Sequence, residues 1–337
     1  SANNSPFVNY YSSAPTLQDA LRNVVIDSPR QLYAAQLELI ILSEEAATNH
    51  MPEILEYFSR EPESRTEVKF VIARGDDSTK AVTIQTLLTN FSSSNIKQSL
   101  ELQQKVLGLT PVYTLNELLN MYLDPTLEIS LPSIIVYGNA EEGDKKENIT
   151  TSTPKALTKI GTTAIFKGKD FLGYLTEEES KVHSIITGST KESIINLDYK
   201  DNYSVFELYK IESDISPNIK DNKITLNISG KTRIKELHSN TNITKSKEID
   251  RLNKELNKHI EDIIKKNFNS MREKYNTDIF SFRQSFYREN PKYYNTHYKD
   301  TWYESIFPNL TLEVKSNIKL YEKGNTLGGI EYENKNN

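Results

Sequence analysis

Three consecutive carboxylates, Glu177, Glu178 and Glu179, are the first place to look for acid–base chemistry, since glycoside hydrolysis needs two acids facing each other across a cleft. Successive residues of a helix point to different sides, so these three cannot face one sugar together. Thr176 precedes them and Glu179 follows it by three, the pattern of a capping box, and acid is favoured in a first helical turn. The capping and solvent reading is therefore preferred. The five histidines, His50, His183, His238, His259 and His297, include no i, i+4 pair and so define no metal-binding helix face. His259 sits among Lys258, Glu261 and Asp262 and reads as a solvated flank, while His183 and His297 stand apart from any Asp–Ser pattern. There is no Gly-x-Ser-x-Gly. The absence of cysteine excludes disulfides, thiolate metal sites and a cysteine nucleophile together. Asp76 and Asp77 behind Gly75 are turn residues, and Arg74-Gly75-Asp76 is given no integrin role. Gly328-Gly329 lacks the strand-to-helix context of a phosphate loop, and Lys265-Lys266 reads as ordinary surface. No catalytic, cofactor-binding or metal-ligating residue is assigned, and no cofactor is expected.

A chain of 337 residues exceeds what one core usually serves, so two or three domains are expected. The apolar fraction of 36%, with 19 Tyr and 12 Phe, supports packed cores. Its 41 basic and 46 acidic residues are interspersed, and without a basic field nucleic acid is excluded as a partner. No apolar run is long enough to span a bilayer; the run at residues 39–42 is far too short.

These residues have to be held by elements, and the element that dominates is a helix over residues 246–275. Ile249, Leu252, Leu256, Ile260, Ile263, Ile264, Phe268, Met271 and Tyr275 recur at three- and four-residue spacing and form one apolar stripe. At about 1.5 Å per residue the rod is roughly 45 Å long and needs a sheet or other helices along it. Strands expected at 194–199, 204–213 and 223–237, with a continuation at 310–320, supply that cover as an antiparallel sheet. In the third, Ile224, Leu226 and Ile228 alternate with Thr225 and Asn227, giving one dry and one wet face.

Towards the N-terminus, residues 7–11 suggest a strand, and Thr16 caps a helix over 17–26 whose buried face is Leu17, Ala20, Leu21, Val24 and Val25. Strands at 37–42 and 68–73 alternate with a helix capped by Ser43, and helices follow near 81–88, 96–107 and 115–121 before a strand at 132–137. This is a small α/β layer with part of its sheet parallel. Residues 138–154 show no periodicity and read as a solvated linker. Strands at 159–166 and 171–175 then form a hairpin around Lys167-Gly168-Lys169-Asp170. The expected fold class is α+β and multidomain: an α/β domain over 1–150, a hairpin-helix domain over 151–190, and a sheet with the long helix over 191–337. Tyr287, Tyr293, Tyr294, Tyr298, Trp302, Tyr303 and Phe307 are too many rings for a loop; most should close the core. Tyr293, Tyr294, Tyr298 and Trp302 are the candidate partner-interface residues, since rings with a polar handle anchor interfaces.

The run from Ala164 to Ser180, AIFKGKDFLGYLTEEES, resembles a signature of the Ger(x)C family, the lipoprotein C subunits of spore nutrient-germinant receptors. In the same order, Ser28-Pro29-Arg30-Gln31-Leu32-Tyr33, Ile72-Ala73-Arg74-Gly75, Asp278-Ile279-Phe280-Ser281-Phe282, Tyr287-Arg288 with Pro291-Lys292-Tyr293, and Trp302 with Ile306-Phe307-Pro308 are similar to the family's other segments. The likeness spans residues 7–324. The family opens with a lipid-bearing cysteine that is not in this sequence, and Gln36 stands where a histidine is expected. The resemblance implies a non-enzymatic receptor subunit that promotes nutrient-triggered germination through its A and B membrane subunits. It also implies lipid anchoring on the outer face of the spore inner membrane, with this chain a soluble, truncated ectodomain. Two rival expectations are a lipoprotein that captures the nutrient itself, with a deep pocket, and an enzyme acting on cortex peptidoglycan, with two carboxylates in a cleft.

Overall fold

The computed structural model describes residues 7–28, 32, 36–61, 67–75, 78–86, 91–199, 202–238 and 245–322. Two compact units divide the chain: Ser1–Gln103 with Pro111–Leu175, and Gln104–Thr110 with Thr176–Asn337.

In the first unit the elements run α1 (Leu17–Asn23), β1 (Leu39–Ser43), α2 (Glu44–Asn49), α3 (Met51–Arg60), β2 (Lys69–Ala73), α4 (Ser78–Thr83), α5 (Ser92–Val106, whose last turn enters the second unit), α6 (Leu115–Leu123), β3 (Ser130–Leu131), β4 (Ser133–Gly138), α7 (Ala140–Gly143), β5 (Ala156–Ile160), β6 (Ala164–Lys167) and β7 (Asp170–Tyr174). One sheet has the order β1-β2-β4-β5, parallel across its first three strands and antiparallel at β4–β5. A second has the antiparallel order β3-β6-β7. β2 shows why the apolar runs form strands covered on both sides. Phe70 and Ile72 join one core with Met51, Leu55 and Leu118, while Val71 and Ala73 join the other with Ile96, Leu100 and Ile134.

Four expectations for this unit change. Residues 7–11 form no strand; Val8, Tyr10 and Tyr11 are exposed, and a strand without a ladder partner has no stability of its own. Thr16 does cap α1, accepting from the Asp19 amide at 3.1 Å, but α1 buries nothing and only Val24 of the expected face is interior. The run expected as one strand over 159–166 is split between sheets, β5 ending at Ile160 and β6 starting at Ala164. Gly161 marks the break, where a Cβ would lie 2.5 Å from Ser133 Oγ. Finally, residues 138–154 are not a solvated linker: they hold α7, a 3-10 turn at Lys146–Ile149 and a fully buried Asn148.

The second unit contains α8 (Glu177–Ile186), β8 (Glu192–Tyr199), β9 (Asn202–Asn218), β10 (Lys223–Leu237), α9 (Ser246–Tyr275), α10 (Phe282–Glu289), α11 (Pro291–His297), a π-helical turn at Trp302–Ile306 and β11 (Thr311–Glu322). Its sheet has the order β11-β10-β9-β8. β8, β9 and β10 are antiparallel as expected, but β11 lies parallel to β10. The cause is topological: α9 and the helices behind it carry the chain back across the sheet, and a crossover of that length returns a strand in the same direction.

Of the stripe expected from spacing, α9 buries Leu252, Leu256, Ile260, Ile264, Phe268 and Met271, while Ile249, Ile263 and Tyr275 are half-buried. It also seals the β11 edge. Asn253 Oδ1 accepts from the Leu320 amide at 2.9 Å, Asn257 Oδ1 from Ile318 at 2.7 Å and Glu261 Oε1 from Ser316 at 2.9 Å. Four helical residues rise about 6 Å and two strand residues about 6.6 Å, so the two repeats stay in step over three contacts. Asn257 also donates to the Ile318 carbonyl at 2.8 Å, treating that residue as a neighbouring strand would. An open edge strand invites pairing with other chains, and here side chains of a helix occupy it. Asn257→Leu should lower stability by about 2 kcal/mol, because both backbone groups of Ile318 lose their partner. Urea unfolding of the variant checks it; an unchanged midpoint would mean that water replaces the amide without loss.

Candidate functional site

The carboxylates that opened the sequence reading act as a cap. Thr176 Oγ1 accepts from the Glu179 amide at 3.2 Å and Glu179 Oε2 from the Thr176 amide at 2.9 Å, closing the expected box. Glu179 is buried rather than solvated, because Ser270 of α9 donates to its other oxygen at 3.0 Å. Glu178 Oε1 accepts from Asn267 Nδ2 at 2.6 Å. These acids bind α8 to α9 and do not converge on a cleft. Among the described residues no group of three His, Asp or Glu could hold a metal ion. Asp76, Asp77, Gly328 and Gly329 lie outside the described residues.

His259 is half-buried, and its Nε2 lies 2.8 Å from the Asn196 carbonyl of β8. His183 is the deeply buried one. Its Nε2–H donates to the Ile279 carbonyl at 3.0 Å, while Nδ1 has no hydrogen-bond partner, and burial pushes its pKa down to about 4. A neutral imidazole with one bare nitrogen in an apolar core is a packing group.

Of the candidate interface residues, Tyr294, Tyr298 and Trp302 are buried, which removes them as surface anchors. Trp302 is the hub: Phe286, Tyr294, Tyr298 and Phe307 lie within 6.4 Å of it, centroid to centroid. Tyr298 donates to the Ile219 carbonyl, and Arg283 Nε to the Tyr294 hydroxyl at 2.5 Å. Asp278 fixes the entry to α10, accepting from the amides of Phe280, Phe282 and Arg283 at 3.2, 3.3 and 2.5 Å. Only Tyr293 keeps partial exposure, stacked on His297 at 4.1 Å.

A polar cluster that sequence reasoning missed sits in the first unit, at the ends of β1 and β2. Arg74 Nε donates to Ser133 Oγ at 3.1 Å, its Nη2 to Thr162 Oγ1 at 2.5 Å, and its guanidinium lies 3.9 Å over the Tyr174 ring. Tyr174 donates to Glu44 Oε1 at 2.5 Å, and the Gly75 amide donates to the same oxygen at 3.0 Å. Burial, reinforced by Glu44, holds the Tyr174 hydroxyl well above its ordinary pKa. Gly161 leaves the guanidinium its space. Ser133 of β4 and Tyr174 of β7 both meet Arg74, so the cluster joins the two sheets of the unit.

The geometry thus defines a class: an α+β protein of two units in which buried polar groups such as Glu179 and Asn148 serve the fold. Comparison with known proteins supplies the family. A model of the spore germination protein N-terminal domain matches residues 1–136, and a model described as spore germination B3/GerAC like, C-terminal, matches residues 161–324. The chain belongs to the Ger(x)C family. It is similar to spore germination protein KC of Bacillus subtilis (strain 168), 23% identical over 330 residues covering 96% of this chain and 81% of that protein. Spore germination protein B3 of the same organism is 23% identical over 325 residues, 94% of this chain and 81% of its own. The crystal structure of the GerBC protein shares the fold, with a TM-score of 0.57 and 21% identity over 88% of this chain and 83% of that one.

Proposed function

We propose that this chain is the C subunit of a spore nutrient-germinant receptor, a non-enzymatic component that acts by protein–protein contact with the A and B membrane subunits. The observation that carries the reading is the ordered match of two germination-protein models to the two parts of the chain. The geometry agrees: Glu179 caps α8, His183 is packed in a core and Arg74 bonds between the two sheets of the first unit. Among the described residues no helix is long and apolar enough to cross a membrane. The proposed position is the outer face of the spore inner membrane, held by an N-terminal lipid as the family resemblance implies. Spores lacking the chain should fail to lose optical density on addition of at least one nutrient, with recovery on complementation. Unchanged responses to every nutrient would overturn the proposal. A rise in the melting midpoint of the purified chain with amino acids or sugars would assign nutrient capture to it instead.

A further inference from the structure

The second unit has a cleft of about 520 Å³ between β9 and α10, and one of its walls is a strand edge. β8 pairs with β9 only along Asn202 to Tyr209, and the Ile211 amide still reaches the Lys191 carbonyl. α8 covers the next step, where Ser213 Oγ donates to the Ile185 carbonyl at 2.6 Å. Beyond it β9 continues to Asn218, with β10 as its only strand neighbour among the described residues. Pro217 shows which way the backbone faces. It sits in the ladder opposite Ile224, and a proline is tolerated there only when its missing N–H points away from the partner strand. With a period of two, the N–H and carbonyl of Ile215 also face the open side, and no backbone hydrogen bond from outside the ladder reaches the Ile215 amide among the described residues.

The helical wall carries Arg288 and Glu289 side by side. Glu289 is already used, accepting from the Ile219 amide at 3.0 Å. Arg288 is exposed and has no ion-pair or hydrogen-bond partner among the described residues. A strand edge with unpaired groups facing a helix whose uncommitted charge is a guanidinium matches an extended peptide carrying an acidic side chain. A second copy of the chain fits less well, because twofold pairing of two such edges would bring two Arg288 side chains to one seam.

We propose that an extended, acid-bearing segment of a membrane subunit adds to the β9 edge at Ile215–Pro217 and places its carboxylate on Arg288. This rests on the receptor-subunit reading above. The test uses detergent-purified A and B subunits with the full chain, wild-type and Arg288→Glu, measuring affinity together with hydrogen exchange at residues 213–217. Circular dichroism verifies that the exposed substitution leaves the fold intact. The expected result is a complex in which the Ile215 amide exchanges at least tenfold more slowly and from which Arg288→Glu dissociates at least tenfold more readily. A complex with neither change overturns the cleft assignment and leaves the receptor reading standing. Failure to bind either membrane subunit counts against both. Self-association of the chain alone that is abolished by Arg288→Glu overturns the proposed occupant in favour of a second copy.

Discussion

Replacing Asn148 by leucine should destabilise the first unit by about 4 kcal/mol. Its amide nitrogen donates to the carbonyls of Gln85 and Ala156 at 2.9 and 3.0 Å, and its oxygen accepts from the amides of Lys155 and Ala156 at 2.7 and 3.1 Å. The side chain has no exposed surface, so water cannot substitute for it. Leucine fills similar space but leaves these four backbone bonds unmade. Each unpaired buried group costs about 1–3 kcal/mol, and relaxation around the site brings the sum towards the low end. The consequences spread locally: Gln85 also bonds Gly143 and Asp144 through its amide and its side chain, both at 2.8 Å, so freeing the Gln85 carbonyl loosens α7 as well. Asn148→Asp should be at least as harmful, because it turns a carboxylate oxygen towards two carbonyls. Urea unfolding followed by far-UV circular dichroism measures the loss. A change below about 1 kcal/mol for both variants would mean that residues 138–154 behave as the solvated linker their composition suggests.

That contrast shows what the sequence can and cannot disclose. The 30-residue helix was legible because its stripe repeats locally, and the Thr176–Glu179 box because cap and acid are three residues apart. β2 was legible from an apolar run that serves two cores at once. Asn148 was not, since nothing in a Lys-, Glu- and Asn-rich stretch announces that one asparagine will satisfy a carbonyl 63 residues away. Arg74 is similar: its partners Ser133 and Thr162 are 59 and 88 residues distant, and its letters suggested only a turn. The same limit applies to Tyr294, Tyr298 and Trp302. Counting rings identified a cluster, but which of them close the core depends on how α10, α11 and the π-helical turn fold back, which spacing does not encode. The parallel placement of β11 follows from the crossover through α9, a property of topology and not of the strand's own alternating pattern.

His183 makes the second large prediction, a loss of about 3 kcal/mol of stability between pH 6.5 and pH 4. Burial holds its folded pKa near 4, against an ordinary value of 6.5. A proton therefore binds the unfolded chain more tightly than the folded one, and protonation favours unfolding. The contribution of the neutral ring is complete above pH 6.5 and drains away as the pH falls to about 4, below which both states are protonated. The gap of about 2.5 units, at 1.36 kcal/mol each, gives the stated size. The structure supplies the cause, because a proton added at Nδ1 finds no acceptor and lies beside the Phe280 ring, 6.0 Å away between centroids. Carboxylates also titrate in this range, so the test is a difference. His183→Gln removes the titration and keeps an N–H that can reach the Ile279 carbonyl. Subtracting its stability from that of the wild type at each pH should leave a curve that is flat above pH 6.5 and falls by about 3 kcal/mol towards pH 4. A difference that stays constant across the whole range would show that the ring binds its proton equally well in the folded and unfolded chains, and with it that the α8–α9 core admits a charge.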